Sequence, residues 1–292
     1  MDQAVVLVLA STLPCFLFQI TDFDMPHITR LDGSLIHYEV QGPPDGPGLP
    51  VLLLAPGGID SAGARWNQAQ FDPGWLDERR LIFMDQRFAG ASSTNLCRYD
   101  HQEMAEDAMA LLDALEIHRV AVIGEGMGGM QALRLAYDAP ARISGGVVVS
   151  PFKRPASLDD LYAPFGETIR LARAEGIEAV VAAACNGGTF AENPAAGPWI
   201  NRLAHDAGFR DAIKRLGREA YITHVVDFRD GLYPWSNTYF ALSDVALDRI
   251  QIPVAIAAGS QVDAAKDLCQ RIQGVEIDLS RESIRSFIAD LQ

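Results

Sequence analysis

The stretch with the most chemical promise is Val120-Ala-Val-Ile-Gly-Glu-Gly-Met-Gly-Gly-Met-Gln-Ala-Leu133. Val120 to Ile123 is an unbroken apolar run that reads as a buried strand, Gly124 to Gly129 as a tight turn, and Met130 to Tyr137 as a helix. In the pattern G-x-S-x-G, such a strand, turn and helix lift a serine hydroxyl onto a strained bend, where it can attack a carbonyl. Here the five positions are Gly124, Glu125, Gly126, Met127 and Gly128, so the attacking position has no side chain. The same glycines also satisfy G-x-G-x-x-G, a turn that lets a pyrophosphate approach a helix N-terminus. That alternative wants an acidic residue at the end of the next strand to hold a ribose, and Gly146-Val-Val-Val-Ser150 ends in Ser150-Pro151 instead.

The elements that position this bend follow from hydropathy. Ser34 to Val40 alternates, as a half-solvated edge strand would, and Val51 to Ala55 is short and wholly apolar. Leu81 to Met84, Gly146 to Ser150, Pro253 to Ala258 and Val275 to Asp278 read as further strands. His101 to Leu115 reads as a helix with Met104, Ala108, Leu111 and Leu115 on one face, and Ile284, Phe287, Ile288 and Leu291 mark a closing amphipathic helix. Strands alternating with helices predict an α/β fold, a mostly parallel, doubly wound sheet covered on both faces. From Pro151 to about Arg249 helical patterns follow one another without core strands, as an inserted helical lid above the strand ends would. The expected organisation is an apolar extension over 1–24, a core over 25–150 and 250–292, and the inserted lid over 151–249.

From about Met25 to its end the chain resembles the α/β-hydrolase fold superfamily. Leu31-Asp-Gly33 with Ile36-His-Tyr-Glu39 is similar to the opening strands, and Val51-Leu-Leu-Leu-Ala-Pro-Gly-Gly58 to the strand and loop that follow. Asp85-Gln-Arg-Phe-Ala-Gly-Ala-Ser92 resembles the family turn D-x-R-G-x-G-x-S, with Phe88 in place of the first glycine. The bend and its helix, Met127 to Ala136, are similar to homoserine acetyltransferase-like and proline iminopeptidase-like members.

The resemblance implies a nucleophile, an acid and a histidine, in that chain order. Gly126 occupies the first position. Asp263, in Gly259-Ser-Gln-Val-Asp263, takes the acid position, and reads equally well as the cap of a helix from Ala264 onward. The histidine belongs around Ile277 to Glu282, yet the six histidines are His27, His37, His101, His118, His205 and His224, all before Asp263. Two separate absences argue against ordinary triad hydrolysis. An oxyanion hole is built from backbone and needs neither residue: its donors would be the N–H of Met127 and one from the loop at Gly58-Ile59. Such donors alone retain roughly 10³-fold over water in dismantled triads. They suit polarisation of a carbonyl for enolisation, cyclisation, retro-aldol cleavage or decarboxylation, given an acid or base.

Glu125, His224 and His101 are the candidate acids or bases. Each has a plainer reading: a carboxylate favoured by a helix dipole, a packing histidine, and a capping or solvent-exposed one. Asp85-Gln86-Arg87 reads as fixing its turn. Trp199, Tyr233 and Trp235 read as packing in the insertion or as an apolar pocket wall. Two function classes stand: a non-hydrolytic or impaired enzyme acting on a small carbonyl compound, and a silent homologue that binds a small ligand or a protein. An esterase with an unusual nucleophile such as Cys97 is a third.

The net charge of −14 repels phosphate backbones, so nucleic acid is not an expected partner; a small organic ligand is. Cys15, Cys97, Cys185 and Cys269 are scattered, which predicts reduced thiols and a cytoplasmic setting, and neither a metal constellation nor a cofactor is expected. Ala4 to Ile20 is apolar but is interrupted by Ser11, Thr12, Pro14 and Gln19, so it reads as an extension rather than a membrane span or secretory signal.

Overall fold

A strand with no polar residue has no face to offer water, and Val51–Leu54 and Leu81–Met84 are such strands, buried at every position. They form the middle of one sheet. The computed structural model describes residues 25–56, 62–63, 66, 74, 78–92, 99–259 and 261–291. The eight strands are β1 (His27–Thr29), β2 (Leu35–Gln41), β3 (Val51–Leu54), β4 (Leu81–Met84), β5 (Val120–Glu125), β6 (Ile143–Val149), β7 (Val254–Ala257) and β8 (Val275–Ile277). Their order in the sheet is β1-β2-β4-β3-β5-β6-β7-β8. β1 and β2 run antiparallel to their neighbours, and the remaining pairings are parallel. The alternating strand β2 is therefore not the edge: β1 covers its outer side through the register Ile28↔Ile36.

Helices cover both faces. α1 (His101–Ala114) and α2 (Met127–Asp138) lie on one, where Ala105, Ala108, Leu111 and Leu135 pack against Leu52, Leu54, Ile82 and Val122. On the other face, Trp66, Ile288 and Leu291 pack against Leu53, Phe83, Ile123 and Val147. Successive residues of β3 and β5 thus serve opposite layers, which is the doubly wound arrangement expected. α1 begins where Asp100 accepts from the N–H groups of Gln102 and Glu103, both at 2.9 Å.

Between β6 and β7 the chain forms helices only: α3 (Asp159–Glu175), α4 (Ile177–Cys185), α5 (Ile200–His205), α6 (Ala207–Leu216), α7 (Arg218–Leu232) and α8 (Asp244–Leu247), with a 3-10 turn at Pro194–Ala196. α9 (Val262–Ile272) and α10 (Arg281–Ala289) complete the chain. Among the described residues no helix is long and apolar enough to cross a membrane. The extension over 1–24 lies outside the described residues.

Candidate active site at the elbow

β5 leads straight into Gly126, which caps α2 with φ 53° and ψ −117°. Its N–H donates to the Val149 carbonyl at 2.9 Å, and its own carbonyl accepts from Met130 at 3.2 Å, so the bend is held from both sides. The positive φ is one that glycine adopts at little cost and other residues do not. Among the described residues, steric room is not what demands glycine here: a Cβ at position 126 would meet Pro56 Cβ alone, at 3.7 Å. Its neighbours differ. A Cβ on Gly124 would run into the backbone of Gly128, and one on Gly128 into the carbonyls of Leu54 and Ala55. The flanking glycines are required by the close approach of α2 to the sheet, while the central one leaves space where a hydroxyl would stand.

That close approach also explains a misplaced boundary. Residues 127–129 read as turn because two of them are glycine, a poor helix former. In the structure they are the first turn of α2, pressed against β3 where no side chain fits. Met127 is the first helical residue and is buried, so its N–H precedes the first intrahelical bond. Gly58 and Ile59, the expected source of a second donor, lie outside the described residues, as does Cys97.

Asp263 is the second residue of α9, exposed, with Gln261 rather than Asp263 as the cap. It sits where the helix dipole favours a carboxylate. The loop that should carry a histidine is Asp278 to Ser280. There Asp278 accepts from the Ser280 N–H at 2.9 Å, and Ser280 Oγ accepts from the Ser283 N–H at 3.1 Å to cap α10. Hydrogen bonds from Ser280 and Ser283 hold the Asp278 carboxyl below its ordinary range. A helix cap fills the loop where the resemblance implies a histidine.

The histidines nearest this end of the sheet are committed elsewhere. His101, expected to cap or face solvent, is instead buried, because Asp100 takes the cap and turns the ring inward. Its Nε2 donates to the Leu232 carbonyl at 2.9 Å, and Nδ1 accepts from the Gln131 side chain. Burial lowers its pKa to about 4 even though the Leu232 bond and Asp100 oppose the change, so the ring is neutral. A serine, a histidine and an aspartate do meet, at the end of β4, in a different arrangement from a triad. His37 Nδ1 lies 2.9 Å from Asp85 Oδ2, but Ser92 Oγ donates to the Asp85 carbonyl at 2.7 Å and accepts from the His37 backbone N–H at 2.9 Å. No imidazole is placed to take the serine proton. Asp85 also accepts from the N–H groups of Gly63 and Ala91. Beside it, Arg87 bridges Asp107 (2.5 and 2.8 Å) and Asp32 (2.8 Å). These residues tie the turn after β4 to β2 and α1.

The other candidates are dispersed. Glu125 ends β5, half-buried, its side chain with no hydrogen bond or ion pair among the described residues. His224 is half-buried on α7. Trp235, expected to pack or to wall a pocket, stands 74% exposed, and its carbonyl accepts from Arg154 at 2.7 Å. Trp199 is buried among Phe88, Tyr221 and Phe228, and Tyr233 packs on Phe152, Phe165 and Phe240. Sequence reading passed over Tyr99, which stacks on Phe228 at 4.3 Å, and Gln131, the His101 partner. The buried face of α1 and α2 could have flagged Gln131, a polar residue in an apolar stripe. Among the described residues no group of three or more His, Cys, Asp or Glu is placed to hold a metal ion.

Comparison with known proteins follows this geometry. Residues 50–172 match a family model described as the alpha/beta hydrolase fold. Over 121 residues the chain is 36% identical to the "Putative carbamate hydrolase RutD" of Variovorax paradoxus, covering 41% of this chain and 44% of that protein. The chain thus spans about half the length of the curated relatives it matches. Among solved structures, a hydrolase from Pseudomonas aeruginosa PA01 superposes with a TM-score of 0.59 at 20% identity, over 92% of this chain and 99% of that one. The enol-lactonase of Burkholderia xenovorans LB400 gives 0.56 at 20% identity, over 90% and 96%. The strand order, the bend at Gly126 and these matches agree on the architecture: the chain has the α/β-hydrolase fold.

Proposed function

We propose that this protein is a non-acylating α/β-hydrolase-fold protein that holds a small carbonyl compound above Gly126 and does not cleave it through a covalent intermediate. The observation that carries this reading is the contrast within five residues. Gly124 and Gly128 still satisfy the close packing of the bend, whereas Gly126 has room beside it among the described residues and no attacking atom. The cap at Asp278 to Ser280 adds to it, since no base stands on that loop. The N–H of Met127 at the start of α2 is the group left to polarise a carbonyl oxygen, which is lyase, isomerase or cyclase chemistry rather than hydrolysis. The helical insertion over 151–249 acts as the lid that excludes water from this space. The names of the curated relatives supply the ligand class, a compound with a carbamate-like carbonyl. A cytoplasmic setting, free of nucleic-acid and membrane partners, belongs to the same proposal.

A silent binding protein is the second reading, favoured by one observation: His37 and His101 are both engaged in structural hydrogen bonds. A fluorophosphonate probe tests the shared claim. The protein is expected to remain unlabelled under conditions that label a serine esterase completely; stoichiometric labelling would reveal a nucleophile and end the proposal. Native mass spectrometry of the purified protein, followed by chemical analysis of what it retains, separates turnover from storage.

A further inference from the structure

Between the turn after β4 and the helical insertion lies a cavity of about 180 Å³ whose walls include Phe88, Phe190, Trp199, Ile200 and Arg202. Neither Gly126 nor Met127 lines it. We propose that this cavity binds a small aromatic carboxylate, its ring between Phe88, Phe190 and Trp199 and its carboxylate on Arg202. The proposal is independent of what happens at the elbow.

Volume sets the ligand size, since an apolar cavity of about 150 Å³ admits one benzene ring. The walls are already fixed in place. Phe190 meets Phe165 edge-on at 5.0 Å, and Phe88 lies 5.3 Å from Tyr99. Trp199 is backed edge-on by Tyr221 at 5.9 Å and by Phe228 at 5.6 Å. A ring entering such a slot orders little that is not ordered already, which is the main saving available to a small ligand. The Phe88 backbone is itself unusual, with φ 66° where the family turn has glycine, and that conformation sets its ring in this wall.

Arg202 makes the cavity selective for an anion. Its Nη2 donates to the carbonyls of Gly90 (3.2 Å) and Ser92, which fixes the guanidinium plane. Its Nη1 lies 3.7 Å from Asp206 Oδ2, too far for a hydrogen bond. One arm of the fork is therefore anchored, and the other, held among the described residues by the ion pair with Asp206 alone, can donate to a carboxylate oxygen. Trp199 adds a buried indole N–H with no acceptor among the described residues. With a chain charge of −14, attraction at long range is absent, so recognition must come from this contact.

Benzoate is the probe, titrated against the full chain by calorimetry or tryptophan fluorescence, with benzyl alcohol as the neutral control. Saturable millimolar or tighter binding of benzoate is expected, at least about tenfold stronger than that of benzyl alcohol. Arg202→Gln should erase that preference. Because Arg202 also anchors its turn, two further variants carry the test. Phe190→Trp fills the cavity and should abolish binding. Asp206→Asn keeps the cap that accepts from the Phe209 N–H at 2.9 Å while removing a competing charge, and should tighten binding several-fold. Gly126→Ser should leave binding unchanged. No saturable binding by about 10 mM benzoate overturns the proposal, as does binding that survives Phe190→Trp, weakens in Asp206→Asn or is lost in Gly126→Ser.

Discussion

Gly126 separates two requirements that a nucleophilic bend normally meets together, a strained backbone and a reactive side chain. The backbone requirement is intact, at φ 53° and ψ −117°, and among the described residues a Cβ there has room. Gly126→Ser should therefore fold, at a cost of about 1–3 kcal/mol for placing a non-glycine residue at positive φ. It should also fail to turn over p-nitrophenyl acetate above the native background, because no histidine stands on the loop at Asp278 to Ser280. Measurable burst kinetics from that variant would mean that a base had been overlooked. A second residue-scale consequence concerns His101. Its ordinary pKa of 6.5 falls to about 4 on burial, so between those values the unfolded chain binds a proton that the folded chain refuses. The neutral ring's contribution is complete above about pH 6.5 and is lost as pH falls toward 4, by as much as about 3 kcal/mol for a shift of this size. Urea midpoints at pH 7 and pH 4.5 check it: the native protein should lose more stability between them than His101→Gln, and equal losses would show the ring to be uncoupled from folding.

At the scale of elements, α2 and its contact with β3 show what pattern can and cannot reveal. The four apolar residues before Gly124 mark β5 unambiguously, and so do the wholly apolar β3 and β4, because nothing but a buried strand suits them. The start of α2 was not legible, since local propensity argues against a helix through Gly128-Gly129 and only the tertiary approach of two backbones overrides it. That no histidine follows Asp263 is read directly from the order along the chain. The burial of His101 was not legible, because it depends on where α7 delivers the Leu232 carbonyl, 131 positions away. Two glycine substitutions test the account. Gly128→Ala forces a methyl group into the carbonyls of Leu54 and Ala55 and should destabilise by about 1–3 kcal/mol or more. Gly166→Ala, within α3 and with nothing inside 4 Å of a new Cβ, should stabilise by about 0.5–1 kcal/mol. Denaturant midpoints of the pair should move in opposite directions; a shared direction would mean that packing at the bend is looser than described.

For the molecule as a whole, the question is whether the helical insertion is a separate body or part of one core. Hydropathy suggested a boundary at Pro151 and another near Arg249, because strands cease between them. Packing shows continuity: a single apolar cluster runs from Met127, Met130 and Leu133 of α2 through Phe165, Tyr221 and Phe228 of the insertion to Val254 and Leu268 beyond it. Phe228 is the residue that joins the parts, lying 4.3 Å from Tyr99, 5.9 Å from Phe88 and 5.6 Å from Trp199. Two of those partners belong to the sheet layer and one to the insertion. Removing a ring so enclosed costs about 3–5 kcal/mol through lost burial and the cavity left behind. If the layers share one core, Phe228→Ala lowers the stability of both, and far-UV circular dichroism and tryptophan fluorescence still report one coincident transition at a lower midpoint. If the insertion is a body of its own, its helices melt first and the two signals separate. We expect coincidence, since Phe228 of α7 packs directly on Tyr99 and Phe88 across that boundary.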